Sequence, residues 1–288
     1  MKDRLTGRKG FTLIEVIVVM AIISILTGIM IPFIYRVWES AEIDTTRERM
    51  TDLKKAMVGD PRLIQNGVRT HYGYVGDVGQ LPSSLENLAT NADGVSNWNG
   101  PYLPSGFDSS KYNKDAWNTA MQYSPLIVAG RRVSASLKSY GPNRADDGGS
   151  GDDIMDSIFQ ISQSEVSPVN LIHGNVNITF QSAPLVSRSY YIGVSARYRN
   201  GSGFFVTDTC CNSTIKTISG TAGNTQVNYS QDFSCLPPNN LPVGTVYLNP
   251  GVYSDNSCAT SLGGSPLELA VNVHGSTIFS ILQIQAVP

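Results

Sequence analysis

The sequence predicts an α+β protein: a long N-terminal α-helix, transmembrane in its first half, packed on a small antiparallel sheet and followed by an all-β sandwich. Three observations support this prediction. An apolar run beginning at Phe11 continues as an amphipathic helical pattern to about Met57. Short strand patterns with turn residues lie between 114 and 141. A longer series of β-branched and aromatic runs fills the C-terminal part.

The apolar run is long enough to span a membrane. Phe11 to Ile31 is 21 residues, about 30 Å as a helix, which matches the hydrocarbon thickness of a bilayer. Residues 1–10 carry four basic side chains against one acidic one, so the positive-inside rule keeps this leader cytoplasmic and places the rest of the chain outside. The whole 288-residue chain has a net charge of −2, which argues against a broad basic face for nucleic acid.

Glu15 is the only charged residue between Phe11 and Ile34. A carboxylate at the centre of a membrane helix costs about 2.5–3.5 kcal/mol, so it is expected to have a partner. Cleavage after Gly10 would create a new amine on Phe11, one turn from this carboxylate. The amine of a neighbouring subunit could then neutralise Glu15 and fix the register between the two helices.

The run GFTLIEV, followed by an apolar helix containing Pro32, resembles the class III leader and N-terminal helix of type IV pilins and pseudopilins. The resemblance implies that a prepilin peptidase cuts between Gly10 and Phe11 and methylates the new N-terminus. It also assigns Glu15 to filament assembly and Pro32 to a helix break. The alternative is a plain signal anchor with an accidental glutamate, which the combined motif disfavours.

Beyond the anchor, the helix is expected to place a stripe of apolar residues on the sheet (Trp38, Ile43, Met50, Leu53 and Met57). Pro32 is expected to kink or locally melt it. LPSSLENL at 81–88 has the spacing of a capping box and predicts a short helix. LPSSLENL, GPYL, DAWNTAMQY and SYGPNRADDGGSGDDI follow, in order, the pattern of major pseudopilins of type II secretion systems, so the resemblance covers roughly residues 7–160.

An acidic loop at 143–156 combines five aspartates with glycines, the ligand type and the backbone freedom that a calcium site uses. The spacing is not that of an EF-hand, and a solvated turn is the alternative. The resemblance implies calcium held by the Tyr140 carbonyl, Asn143, Asp152 and Asp153. Asn143 stands where the family has an aspartate, which weakens the site electrostatically.

The C-terminal part holds all four cysteines of the chain. Four cysteines allow three pairings. A bond between the adjacent Cys210 and Cys211 would be strained, so we expect each to pair separately with Cys235 or Cys258. An even count in an external domain favours disulfides over zinc, because the adjacent cysteines lack the usual C-x₂-C spacing. Predicted strands at 175–181, 189–199, 203–210, 213–219, 245–253 and 267–275 and a last strand from 277 favour an antiparallel sandwich of the immunoglobulin-like type.

The predicted organisation is a leader (1–10), an N-terminal helix (11–58, anchor 11–34), a pseudopilin-like domain (59–160) and a β-sandwich (161–288). By resemblance, the protein is a pilin or pseudopilin subunit of a type II secretion or type IV pilus-like filament, homo-oligomeric or mixed. It would be single-pass in the bacterial inner membrane, in contact with the bilayer, an assembly platform and a prepilin peptidase. Its globular part would lie in the periplasm, or outside the cell in an assembled filament. The alternative is a minor or tip subunit whose β domain is an adhesin or cargo-binding module.

Enzymatic and nucleic-acid functions are disfavoured by the sequence. The three histidines are far apart, and the chain lacks the G-x-S-x-G, H-E-x-x-H and phosphate-loop motifs. Arginines and tyrosines alternate between 188 and 199, and we interpret them as an ordinary sheet face rather than a DNA-binding patch.

Overall fold

The computed structural model describes residues 10–103, 111–169, 171–180, 188–201, 205–218, 225–234, 240–264, 268–273 and 277–285. It is α+β, as the sequence predicts. A long helix packs against small antiparallel sheets, and a β-rich region follows.

The first element, α1 (Leu13–Val58), is a single helix of 46 residues. It ends within a residue of the predicted position because Gly59 adopts φ 81°, and its N–H bonds the Lys55 carbonyl at 2.7 Å. The helix continues through Pro32, so the predicted local melting there is wrong. The helical residues on both sides keep the backbone around Pro32 helical. Membrane-spanning helices tolerate the loss of the one backbone hydrogen bond that proline cannot donate.

The segment after α1 folds into short elements around its C-terminal half. They are β1 (Ile64–Gln65), β2 (Val68–Arg69), α2 (Gly73–Val78), a 3-10 turn (Leu85–Leu88), β3 (Gln122–Val128), β4 (Arg131–Lys138), a 3-10 turn (Ser157–Phe159) and α3 (Gln163–Val166). The predicted short helix at 81–88 is present as the first 3-10 turn, although Ser84 rather than Ser83 takes the N-cap position. The predicted pair of strands is the β3–β4 hairpin, with β4 shifted toward the N-terminus.

The first hydrophobic core forms where α1 meets these elements. Met50, Leu53 and Met57 of the predicted stripe are fully buried. Tyr74, Leu81 and other apolar side chains from the surrounding elements pack in the same cluster. Trp38 is 64% exposed, so its place on the packed stripe was predicted wrongly. The elements that follow α1 reach only its C-terminal half, and Trp38 lies beyond them.

Eight strands lie in the described residues of the β-rich region. They are β5 (Leu171–Phe180), β6 (Arg188–Arg199), β7 (Phe205–Ile218), β8 (Thr225–Ser234), β9 (Gly244–Tyr253), β10 (Ser261–Gly264), β11 (Leu269–Val273) and β12 (Thr277–Gln285). One sheet has the order β10-β9-β6-β7, with β11 also on β9, and the other has the order β12-β5-β8. A second core is shared by both sheets, since Ile172 of β5 and Phe233 of β8 cluster with Ile192, Val194 and Leu248. Shared burial of this kind supports a sandwich.

Three details of the strand prediction are wrong. The runs 203–210 and 213–219 form one strand, β7, because Cys211 and Asn212 continue its pairing with β6. Strands β8 and β10 were not predicted, because their residues are mostly polar or glycine. The last strand, β12, runs parallel to β5 rather than antiparallel, in register from Thr277 opposite Leu171.

The two cores adjoin directly. Val166 belongs to the first core and Val169 to the second. Backbone hydrogen bonds from Val243 N to Val166 O (3.0 Å) and from Leu241 N to Val169 O (2.8 Å) tie the chain before β9 to this crossing point. The predicted domain boundary at 160/161 lies close by and stays a prediction.

Arg131, at the start of β4, joins both parts. It is only 7% exposed, and its guanidinium donates to the carbonyl of Gly79 (2.7 Å), the hydroxyl of Ser167 (2.9 Å) and the carbonyl of Asn240 (3.0 Å). It also lies over the Tyr198 ring of β6, 5.6 Å from the centroid. The β-rich region is therefore docked on the first part through buried polar contacts.

Candidate functional site: the N-terminal helix and the acidic loop

The start of α1 is a capping box. The Glu15 N–H donates to the Thr12 hydroxyl at 3.4 Å, and the Thr12 N–H donates to Glu15 Oε2 at 3.0 Å. The Thr12 hydroxyl also donates to the same carboxylate oxygen at 3.0 Å. The Glu15 carboxylate is thereby held at the N-terminal end of the helix, where the macrodipole favours negative charge.

Gly10 and Phe11 lie just before this cap, in exposed non-helical backbone. A side chain added at Gly10 would meet no atom within 4 Å. The fold of this chain therefore does not require glycine at position 10. A requirement for glycine there would come from whatever binds this segment.

The N-terminal half of α1 is an exposed apolar rod. It is the one helix of the described residues that is long and apolar enough to cross a membrane. Its few polar groups are satisfied internally, because the hydroxyls of Ser24 and Thr27 donate to the carbonyls of Met20 and Ile23 at 2.7 Å. Both properties are those of a helix surrounded by lipid or by other helices.

Ionic contacts anchor the C-terminal half of α1. Lys54 Nζ lies 2.9 Å from Glu165 of α3, and Arg49 donates to the Asp115 carbonyl at 2.8 Å. Arg47 pairs with Asp156, which immediately precedes the second 3-10 turn, at 3.2 Å. The helix therefore carries the globular part as a fixed body.

The acidic loop folds back on itself after β4. Asp152 accepts hydrogen bonds from the backbone N–H (2.9 Å) and the side-chain amide (2.6 Å) of Asn143. The first of these lowers the pKa of Asp152 below its ordinary value. Gly141 adopts φ 65°, and a Cβ there would lie 2.1 Å from the Asp152 carbonyl oxygen, so the turn requires glycine.

Lys138 supplies a positive charge to this loop. Its ammonium donates to Asp146 and lies 3.8 Å from Asp153 Oδ2. The bond to Lys138 lowers the pKa of Asp146, and the same bond raises the pKa of Lys138. The ammonium also sits 5.2 Å from the centroid of the Tyr140 ring.

The donor set fits calcium in part. The Asp153 side chain is fully buried, and its Oδ1 has no hydrogen-bond partner in the part of the chain that the structure describes. A buried carboxylate oxygen without a partner is the kind of group that a hard cation binds. Asn143, however, presents its N–H₂ rather than its oxygen to Asp152. Within the described ranges no group of three or more acidic, histidine or cysteine side chains is assembled as a metal site. Calcium binding stays a prediction.

The cysteines are described in part. Cys211 of β7 is bonded to Cys258, which follows β9, with Cα atoms 5.8 Å apart. The adjacent cysteines are therefore not bonded to each other, as predicted. Cys235 lies outside the described residues, and the separate pairing of Cys210 stays a prediction.

The fold is an exposed helix, long and apolar enough to cross a membrane, that begins in a capping box and carries a small helix-and-sheet unit. Residues 5–31 match the family model of the prokaryotic N-terminal methylation motif, and residues 35–157 match that of type II secretion system (T2SS), protein G. Over these residues the chain belongs to the type IV pilin and major pseudopilin family. No curated protein and no solved structure is similar enough to count as a match. Residues 158–288 lie outside both family matches.

The residues near the N-terminus could be picked out from the sequence, whereas those that act across the fold could not. Gly10, Phe11 and Glu15 form a contiguous motif, and their roles stay predictions. Lys138 was missed as the internal cation of the loop, although it lies in a strand that leads directly into the aspartates. Arg131 gave no signal, because its acceptors are backbone and hydroxyl groups from distant segments.

Proposed function

We propose that this protein is an inner-membrane filament subunit of a type II secretion or type IV pilus-like machine, cleaved after Gly10, methylated on Phe11 and assembled through α1. The observation that carries the proposal is the combination of an accessible Gly10–Phe11 bond, a capped carboxylate at Glu15 and an uninterrupted exposed apolar helix. The matched family is a structural pseudopilin rather than an enzyme. The two family matches describe filament subunits and do not favour the adhesin or cargo-binding alternative.

The geometry supports a specific order of events. The peptide bond after Gly10 precedes the helix, so a peptidase can bind it without unwinding α1. Cleavage places a new amine on Phe11 next to Thr12, whose N–H already faces the Glu15 carboxylate. In a bundle of such helices, the amine of a neighbouring copy completes the neutralisation of Glu15 in the bilayer.

The acidic loop is proposed to take calcium, supported by the buried, unpartnered Asp153 Oδ1. Asp153 and Asp152 would hold the ion, with the Tyr140 carbonyl and Asn143 as the further predicted ligands. A bound divalent ion would supply charge neutralisation to the loop. Lys138 supplies part of that charge in the structure described here.

The processing step is tested by mass spectrometry of the membrane fraction from cells that contain a prepilin peptidase. The wild-type chain should begin at a methylated Phe11. Gly10→Val should retain Met1, whereas Gly28→Ala, at another glycine without neighbours within 4 Å, should be processed normally. Wild-type protein that keeps Met1 would contradict the proposal.

The assembly step is tested by counting sheared filaments from Glu15 variants that are still processed. Glu15→Gln can retain the capping box but removes the charge. If pairing with a neighbouring amine drives assembly, Glu15→Gln and Glu15→Ala should both lose filaments. Glu39→Ala, at an exposed glutamate farther along α1, should not. Normal filaments from Glu15→Gln would refute charge pairing and leave capping as the role of this residue.

A further inference from the structure

A polar cleft lies where the pseudopilin part meets the β-rich region. It has a volume of about 390 Å³, within the range of small-molecule sites. Tyr72, Asp77, Asn99 and Tyr102 come from the first part, and Gly244 and Thr245 from the start of β9. Neither part forms the cleft alone.

The walls of the cleft are held in place by direct contacts. The Tyr102 hydroxyl accepts from the Asn99 N–H at 3.0 Å and donates to Asp77 Oδ2 at 2.9 Å. The backbones of the two parts approach closely at the rim, since a Cβ on Gly244 would lie 3.1 Å from the Gly76 carbonyl oxygen. A ligand entering this cleft would meet a preorganised surface.

Several polar groups in the cleft have capacity left for a ligand. Asp77 Oδ1 makes no hydrogen bond to the residues that the structure describes, and neither does the side-chain amide of Asn99. His71, which also lines the cleft, accepts the Asp60 N–H on Nδ1 at 3.0 Å, so its Nε2 carries the proton and can donate. Asp77 therefore offers an acceptor, His71 offers a donor, and the side-chain amide of Asn99 can both donate and accept.

The charge balance of the cleft favours a neutral ligand. Burial raises the pKa of Asp77, while the charge of Arg199 opposes this effect and partly neutralises the carboxylate. The lining of the cleft is mostly polar, since Arg69 lies over the Tyr72 ring and Tyr102 packs against Tyr74 and Trp98. Vicinal hydroxyls that both donate and accept complement this set of groups.

We propose that the cleft between the pseudopilin part and β9 binds one ring of a neutral carbohydrate. Asp77 and His71 would bond its hydroxyls, with the side-chain amide of Asn99 as a further partner. The site is independent of processing and filament assembly, because neither Glu15 nor the apolar half of α1 takes part in it.

The test is saturation-transfer NMR on the full-length protein in a zwitterionic detergent, because sugar-headed detergents would compete. The probes are glucose, galactose, mannose and N-acetylglucosamine. Trp98 provides a second readout by fluorescence, since its ring centroid lies 5.8 Å from that of Tyr102. At least one sugar should bind saturably at millimolar concentration.

Variants then locate the site. Asp77→Asn and His71→Ala should each weaken binding about tenfold or more. Glu86→Gln, in a separate cleft that is also lined by tyrosines, should leave binding unchanged. Unchanged thermal midpoints would show that both cleft variants are folded. Absence of saturable binding for all four sugars up to 100 mM, or equal affinities for folded Asp77→Asn and Glu86→Gln, would overturn the proposal.

Discussion

Replacing Arg131 by alanine should separate the two parts of the protein energetically. The side chain is buried, and it donates to three acceptors from three different segments: the residue after α2, the residue after α3 and the segment before β9. In Arg131→Ala these acceptors lose their donor at a junction from which water is largely excluded. The substitution therefore acts mainly on the docking of the β-rich region, because two of the three acceptors, Ser167 and Asn240, lie beyond the first core, and it removes no apolar side chain from either core.

The expected cost follows from the number of bonds. Each hydrogen bond from this charged donor contributes about 1.5–3 kcal/mol, and removal of the buried charge offsets part of that loss, so the net cost is about 3 kcal/mol. For a chain of this size that corresponds to a thermal midpoint lowered by roughly 6–12 °C. Circular dichroism of the full-length protein in detergent micelles would measure it, with limited proteolysis between residues 166 and 169 as a second readout.

Two controls make the result interpretable. Arg144→Ala removes an exposed arginine and should change stability by less than about 0.5 kcal/mol. Arg131→Lys keeps the charge but not the planar fork, so an intermediate midpoint is expected. If Arg131→Ala melts with the wild-type midpoint and resists protease equally, the junction does not depend on these bonds and the reasoning is refuted.

Three further predictions concern other parts of the fold. Leu53→Ala, at a fully buried position of α1, should cost about 2–5 kcal/mol by denaturant titration, whereas the exposed Ile127→Ala should cost little. Calcium should raise the thermal midpoint of the wild type and not that of Asp153→Asn; an equal response of the two proteins would exclude this loop as the site. The pKa of Asp255 is lowered by the N–H of Ala259 and the hydroxyl of Ser257, so its stabilising effect is complete above its ordinary value of 3.8 and is lost as pH falls below it. Asp255→Asn should therefore flatten the decline of the midpoint between pH 5 and pH 2, and a slope equal to that of the wild type would count against this role.

The helix and its motif could be predicted because their determinants are local. The apolar run fixes where α1 lies, and Gly59 with the following Asp60 and Pro61 fixes where it ends. The position of Trp38 could not be predicted, because burial depends on how far the later elements reach along α1. Periodicity defines a face of a helix, and the rest of the fold decides how much of that face is covered.

The sequence predicted that the C-terminal part is rich in β-strands, but it did not predict which strands pair with each other. Alternating β-branched residues identify strands, but nothing local indicates that β12 returns parallel to β5.

The same limit applies to the acidic loop. The aspartates are visible in the sequence, whereas the ion pairs of Lys138 with two of them appear only when β4 and the loop are placed together.

The direct step from one core to the other, with only Ser167 and Pro168 between Val166 and Val169, leaves no hinge in the chain. A domain on a flexible linker can move aside when a neighbouring subunit packs beside it, but the β-rich region is not attached by such a linker. In a polymer built through α1, every copy would present its β-rich region at the same angle to the axis. The spacing of successive copies would then have to accommodate the bulk of that region, so the β-rich region would help to set the helical pitch of the polymer.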